Sequence, residues 1–125
     1  MTMIRISAAL AATLALGAGA ALAQSEPLKI GVPTSRTGPY TVLGDQVVRA
    51  IEFSVAEANA AGGIDGRKIE LKIGDTEGNP EAGRRAGEKL SNDGHKIMIG
   101  SISSAVGLAL STQLNRWDAM YVSVV

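Results

Sequence analysis

The sequence predicts an α/β domain built on a doubly wound parallel sheet. Three observations carry that expectation. Short runs of β-forming residues alternate with stretches of helical periodicity, the connections are rich in glycine, proline and small polar residues, and the third run is short and mostly apolar, as in a strand buried on both faces. Connections of this length between parallel strands cross over right-handed.

The first residues stand apart from that pattern. Met1 to Arg5 carries one positive charge, and Ile6 to Ala23 then runs through Ala, Leu, Gly, Ser and Thr with no charged residue. This is the layout of an export signal. Ala21-Leu22-Ala23 offers small residues at the first and third positions of a peptidase site, so cleavage is expected after Ala23. A membrane anchor is the competing reading, because a run of this length just spans a bilayer, but Gly17, Gly19 and the alanines leave it weakly apolar. No cysteine stands ready for lipid attachment, and no twin arginine precedes the run. The expected product is exported and soluble.

The elements follow in order. Leu28 to Val32 is a run of β-formers, and Thr34 to Pro39 after it is a turn-rich loop. From about Tyr40 the period changes to that of a helix, with Leu43, Val47, Ile51 and Val55 every four residues and Val48 and Ala58 beside them. Ala61-Gly62-Gly63 is its glycine stop. Ile64 to Arg67 makes a turn, and Lys68 to Ile73 alternates polar and apolar residues like a half-exposed strand. Asn79-Pro80 reads as an N-cap with proline at the first helical position, and Ala82, Ala86 and Leu90 mark the inner face of a second helix that stops at Gly94. Lys96 to Gly100 is the third strand. Ser101 to Ser104 leads into a third helix through Val106, Leu108, Leu110 and Leu114, and Met120 to Val125 is the fourth strand. A domain seldom stops on such a strand, so residues 24–125 are expected to be part of a longer protein.

Composition narrows the function classes. The 12 basic and 12 acidic residues balance. Loss of Arg5 with the signal lowers the basic count to 11 against the same 12 acids, which gives nucleic acid nothing to bind. The absence of cysteine excludes a disulfide framework, a cysteine nucleophile and cysteine-ligated zinc. No G-x-G-x-x-G follows the first strand, no P-loop lysine follows Gly38 to Gly44, and G-x-S-x-G is missing. The one histidine, His95, precedes the third strand at the end away from the loops that matter. No catalytic residue, cofactor or metal site is expected. Asp75-Thr76-Glu77 reads as a polar loop and Trp117 as cover for the core edge.

In open α/β sheets a ligand binds beyond the carboxyl ends of the strands, where strand order reverses. If the second strand pairs on one side of the first and the third on the other, the loops Pro33–Leu43 and Gly100–Ala105 frame the crevice. Ser103 and Ser104 then stand at a helix mouth, where unpaired N–H groups and serine hydroxyls suit a carboxylate; either could instead be a plain N-cap. Arg36 could pair with an acidic ligand or simply be solvated, and Tyr40 closes the end of the core.

Four stretches together resemble a family. They are Ile30-Gly-Val32 with Thr37-Gly-Pro39; Ala58-Asn-Ala-Ala-Gly-Gly-Ile-Asp-Gly-Arg-Lys-Ile69; Asp75 with Asn79-Pro80; and Ile99-Gly100 with Ser103-Ser104-Ala105. The pattern is similar to the branched-chain amino acid, or leucine-binding, type of periplasmic solute-binding proteins, which serve ABC importers. The resemblance implies one lobe of a two-lobed, type I periplasmic-binding protein without enzymatic activity. The lobes would close over a leucine-like amino acid, an amide or an organic carboxylate, and their outer surfaces would dock on a membrane permease. It implies a periplasmic, monomeric protein with no cofactor and no nucleic-acid partner. By position, Ser104 resembles the serine that holds the ligand's carboxylate, Leu43 falls where members often place a pocket-shaping side chain, and Tyr40 lies near. Two departures stand out: there is no cysteine for the disulfide that some amino-acid binders carry, and Arg36 occupies a position that is often uncharged. A sensor lobe of the same fold is the alternative, followed by a secreted α/β enzyme with catalytic residues elsewhere. The exported protein is expected to begin at Gln24, which N-terminal sequencing of the secreted product would read directly.

Overall fold

The structure, a computed structural model, describes residues 25–124. The export-signal reading and Val125 lie outside them. The elements run β1 (Leu28–Thr34), α1 (Thr41–Ala60), β2 (Ile69–Asp75), α2 (Pro80–Asn92), β3 (Ile97–Ile99), α3 (Ser104–Ser111), α4 (Leu114–Trp117) and β4 (Met120–Val122). All four strands are parallel, in the order β2-β1-β3-β4. The fold is the expected α/β, doubly wound parallel sheet. β1 pairs with β2 along its whole length, from Leu28 against Ile69 to Thr34 against Asp75, and with β3 through Ile30 and Gly31. Right-handed crossovers of opposite direction put α1 on one face and α2 with α3 on the other.

Each boundary has a local cause. Asn79 caps α2 by accepting from the Ala82 amide at 2.9 Å, and Pro80 follows at the first helical position, as expected. α1 ends as the sequence indicates: Gly62 and Gly63 take positive φ, and the Gly63 amide donates back to the Ala58 carbonyl at 2.8 Å. Asn59 joins that end to β2, its side chain donating to the Ile69 carbonyl and accepting from the Ile69 amide.

The core lies between the sheet and the α2–α3 layer and is formed by Leu90, Met98, Val106, Leu110 and Trp117, with Ala119 and Tyr121 packed on it. Ala82, Ala86 and Leu90 are buried as expected. Glycines let the layer close: a Cβ on Gly83 would stand 2.7 Å from Val106 Cγ1, and one on Gly87 would stand 2.6 Å from Leu110 Cδ2 and 2.8 Å from the Trp117 ring.

Three expectations are corrected. The buried line of α1 runs through Gly44 and Val48, with Val47, Ile51, Val55 and Ala58 only half-buried and Leu43 turned out, because the helix presses its Gly44 backbone against the Ser35 carbonyl and that contact fixes its rotation. The third helix is two pieces. Ser111 Oγ and Thr112 Oγ1 donate to the carbonyls three residues back, Leu108 and Ala109, and the Gln113 amide tightens onto Leu110, which interrupts the regular ladder. Leu108 lies on the side of α3 away from the buried Val106 and Leu110 and is exposed, while the restart at Leu114 swings Trp117 into the core. β2 extends to Asp75, two residues past its expected end, while β4 is ordered as a strand only to Val122.

His95 is 3% exposed, and neither ring nitrogen has a hydrogen-bond partner among the described residues; Glu70 Oε1 is 3.8 Å away. Burial lowers its pKa below the usual 6.5, Glu70 and Asp93 oppose that, and Lys72 and Lys29 reinforce it. The unfolded chain therefore binds a proton near pH 6.5 that the folded chain refuses, so stability falls as pH drops below that value. Urea unfolding at pH 7.5 and pH 5.5 is expected to show this loss, and His95→Gln, which does not titrate, is expected to flatten it.

Candidate functional site

β1 is flanked by β2 on one edge and β3 on the other, so strand order reverses between β1 and β3 and the crevice opens beyond their carboxyl ends. The loops 35–40 and 100–103 frame it, as the sequence leads one to expect. They meet directly. Gly100 lies against the end of β1, where a Cβ would stand 2.3 Å from the Pro33 carbonyl oxygen, so no side chain fits.

The α3 side of the crevice is built around Ser101, which is fully buried. Its amide donates to the Tyr121 hydroxyl at 2.6 Å, and its Oγ accepts from the Ser103 amide at 3.2 Å. These bonds turn the chain into α3 with Ser103 at the N-cap position. The Ser103 side chain makes no capping bond, and the Ser103 carbonyl begins the helix by accepting from Gly107. Ser104 is the first helical residue and is exposed. Both hydroxyls are uncommitted among the described residues, and the first-turn amides have no intrahelical acceptor. The arrangement can receive a carboxylate.

The β1 side carries the other sequence-predicted residues. Tyr40 is the N-cap residue of α1, 41% exposed, with its ring over Gly78. Leu43 is half exposed. Arg36 is engaged rather than free, its guanidinium 3.2 Å from the Asp45 carboxylate on α1. No hydrogen bond or ion pair joins Tyr40, Leu43 or Arg36 to Ser103 or Ser104 among the described residues; the two sets share the crevice through the neighbouring strands that carry them.

The sequence presents Asp75 as part of a polar loop and of the family resemblance, with no role of its own. Its Oδ1 accepts from the amides of Arg36 (2.9 Å), Thr37 (3.3 Å) and Glu77 (2.9 Å), and its Oδ2 from the Thr37 hydroxyl at 2.7 Å. Partial burial pushes the carboxyl pKa up, but these four hydrogen bonds outweigh it and hold the value below the ordinary range. The carboxylate is thus charged at neutral pH, and what it contributes is lost only as pH falls through that lowered value. Beneath it, Ser35 Oγ and Thr76 Oγ1 pair at 3.2 Å in full burial. The Tyr121–Ser101 bond also escaped the sequence, where Tyr121 is simply a strand residue. Among the described residues no group of three or more His, Asp or Glu side chains could hold a metal, and no helix is long and apolar enough to cross a membrane.

Against known proteins, the family described as periplasmic binding protein matches residues 27–125. The Leu/Ile/Val-binding protein homolog 3 of Brucella melitensis is 36% identical over 117 residues, which covers 94% of this chain and 31% of the relative. The Leu/Ile/Val-binding protein homolog 1 of Brucella abortus is 39% identical over 103 residues, 82% of this chain and 27% of the relative. Among solved structures, a branched-chain amino acid ABC transporter protein of Rhodopseudomonas palustris superposes with a TM-score of 0.71 at 27% identity, covering 78% of this chain and 27% of that one. The leucine-, isoleucine-, valine-, threonine- and alanine-binding protein of Brucella ovis, in closed conformation, gives 0.74 at 25% identity over 80% of this chain and 27% of that one. The chain spans about a third of the length of the relatives it matches over nearly all of its own.

The seating of the β1 loop on α1 yields a test. Alanine is the better helix former by roughly 1 kcal/mol in an exposed helix, yet a Cβ on Gly44 would stand 1.8 Å from the Ser35 carbonyl oxygen, and backbone cannot yield cheaply. Gly44→Ala is therefore expected to destabilise the protein by about 1–3 kcal/mol, read as a lower urea midpoint.

Proposed function

The chain belongs to the periplasmic binding protein family, and from that premise we propose that it forms part of the solute-binding component of an ABC importer whose ligand is a branched-chain aliphatic amino acid. The observation that carries this reading is the uncommitted mouth of α3. Ser103 holds the N-cap position without spending its hydroxyl there, and Ser104 opens the helix exposed beside it. A ligand carboxylate placed at that mouth would gain roughly 0.3–1 kcal/mol from the helix-end field, up to ~2 when partly buried, and each hydrogen bond to it about 1.5–3 kcal/mol. Leu43 and Tyr40 border the side of the crevice where an aliphatic side chain would lie. Arg36, held by Asp45, contributes charge at the rim. The relatives named for leucine, isoleucine and valine binding support this ligand class over amides and aromatic acids.

The remaining parts of the reading follow from it. Residues 1–23 act as an export signal, residues 24–125 belong to the N-terminal lobe, and the working protein is a periplasmic monomer that hands its ligand to a membrane permease. Its role is capture without turnover. Because the chain spans about a third of its relatives' length, the facing wall of the site comes from residues outside it.

Titration calorimetry on the full-length protein checks the proposal, with leucine, isoleucine and valine beside acetamide and benzoate. Micromolar or tighter binding of the aliphatic amino acids is expected, with Ser104→Ala weakening it by about 1.5–3 kcal/mol. Preference for benzoate or acetamide would overturn the ligand class, and an unchanged affinity in Ser104→Ala would return that serine to a purely structural role.

A further inference from the structure

We infer that Asp75, at the end of the outer strand β2, is a positioning residue that sets the ligand-facing segment 36–43 by gathering its backbone around one carboxylate. The inference rests on the functional reading above for the identity of the ligand, and on geometry for the rest.

The β1–β2 ladder closes at Thr34 against Asp75, with one more bond from the Thr76 amide to the Thr34 carbonyl at 2.9 Å. Past that rung, β1 has no strand to follow. The Arg36 and Thr37 amides both turn to Asp75 Oδ1, and the Thr37 hydroxyl donates to Oδ2. The Glu77 amide holds the same carboxylate from its own loop, so its orientation is set before the crevice loop reaches it. Two close contacts complete the seat. A Cβ on Gly38 would stand 2.5 Å from the Glu77 carbonyl oxygen, and one on Gly78 would stand 2.7 Å from the Tyr40 ring. The segment bearing Arg36, Tyr40 and the start of α1 therefore rests on residues 75–78, and Asp75 supplies its only side-chain acceptor for the two amides among the described residues. An effect on ligand affinity then reaches the crevice from a residue that does not face it.

Calorimetry with L-leucine and amide hydrogen exchange, both on the full-length protein, test this. Asp75→Ala is expected to weaken leucine binding by about tenfold or more, the loss of charge-assisted hydrogen bonds expressed as a ratio, and to speed exchange at the Arg36 and Thr37 amides while leaving α2 and β3 unchanged. Asp75→Asn keeps an oxygen for the amides and is expected to lose less. Thr37→Val added to Asp75→Ala is expected to cost less than about twofold more, because its partner is already gone. A merely structural role would lower the unfolding midpoint yet leave the dissociation constant of the folded variant, and additivity with Thr37→Val, untouched. That outcome overturns the inference, as does wild-type protection at Arg36 and Thr37 in Asp75→Ala. If the wild type ignores leucine, the functional reading fails by itself and the exchange data decide the positioning role alone. If Asp75→Ala does not fold, Asp75→Asn and Thr37→Val carry the same comparison.

Discussion

The fold depends on β1 being paired at both edges and covered on both faces. A parallel strand in that position must be apolar throughout its middle, and Ile30 and Val32 are buried accordingly. Placing β2 on one side and β3 on the other also decides where the helices go. The crossover to β2 carries α1 to one face, and the return across β1 to β3 carries α2 to the opposite one. The loops after β1 and β3 then diverge, and the crevice is the gap they leave. A crevice at this point is a consequence of the topology before any side chain is considered.

Close approach, more than large side chains, sets how the elements are rotated within that plan. Gly83 and Gly87 allow Val106, Leu110 and Trp117 to meet the α2 backbone, so a layer built on alanine, glycine and one leucine still closes over the sheet. Gly44 does the same for α1 against Ser35, and Gly100 for the serine loop against Pro33. At Gly83 and Gly87 the facing atoms are side chains, whereas at Gly44 and Gly100 they are backbone carbonyl oxygens that cannot yield cheaply, so a single methyl group there would shift a whole element. The two on the crevice side matter most for function, since they fix how the Tyr40 and Ser104 loops stand relative to β1.

What the sequence reveals follows the range of the forces involved. Local signals are legible: Asn79-Pro80 as a cap, Gly62-Gly63 as a stop, the alternation that implies a parallel sheet, and the order reversal between the neighbouring strands β1 and β3. Periodicity alone misjudged α1, because a line through Leu43 and a line through Gly44 differ by one residue, and only the tertiary contact with Ser35 chooses between them. It missed the break after Ser111 because the hydroxyls of Ser111 and Thr112 are compatible with a helix until they turn back on its carbonyls. Arg36 looked free because its partner Asp45 lies across the loop–helix junction. Asp75 was hidden for the same reason: three of its four donors are 38 or 39 residues away.

That the crevice loop is fastened by a carboxylate, and not by apolar packing, follows from where the loop must be. A segment that borders an open crevice cannot bury itself in the core, and residues 36–40 are exposed. Apolar contacts there would be worth little while water still reached them. Backbone amides in such a loop nonetheless need acceptors, and an ionised carboxylate is the acceptor that gains most from collecting several of them. The four bonds in turn keep Asp75 charged well below neutral pH, so the fastening is lost only as pH falls through that lowered value. Burying Ser35 and Thr76 directly beneath it gives the exposed clamp a dry footing. The outer strand β2 thereby does more than extend the sheet, because its last residue decides the shape of a crevice that β2 itself does not line.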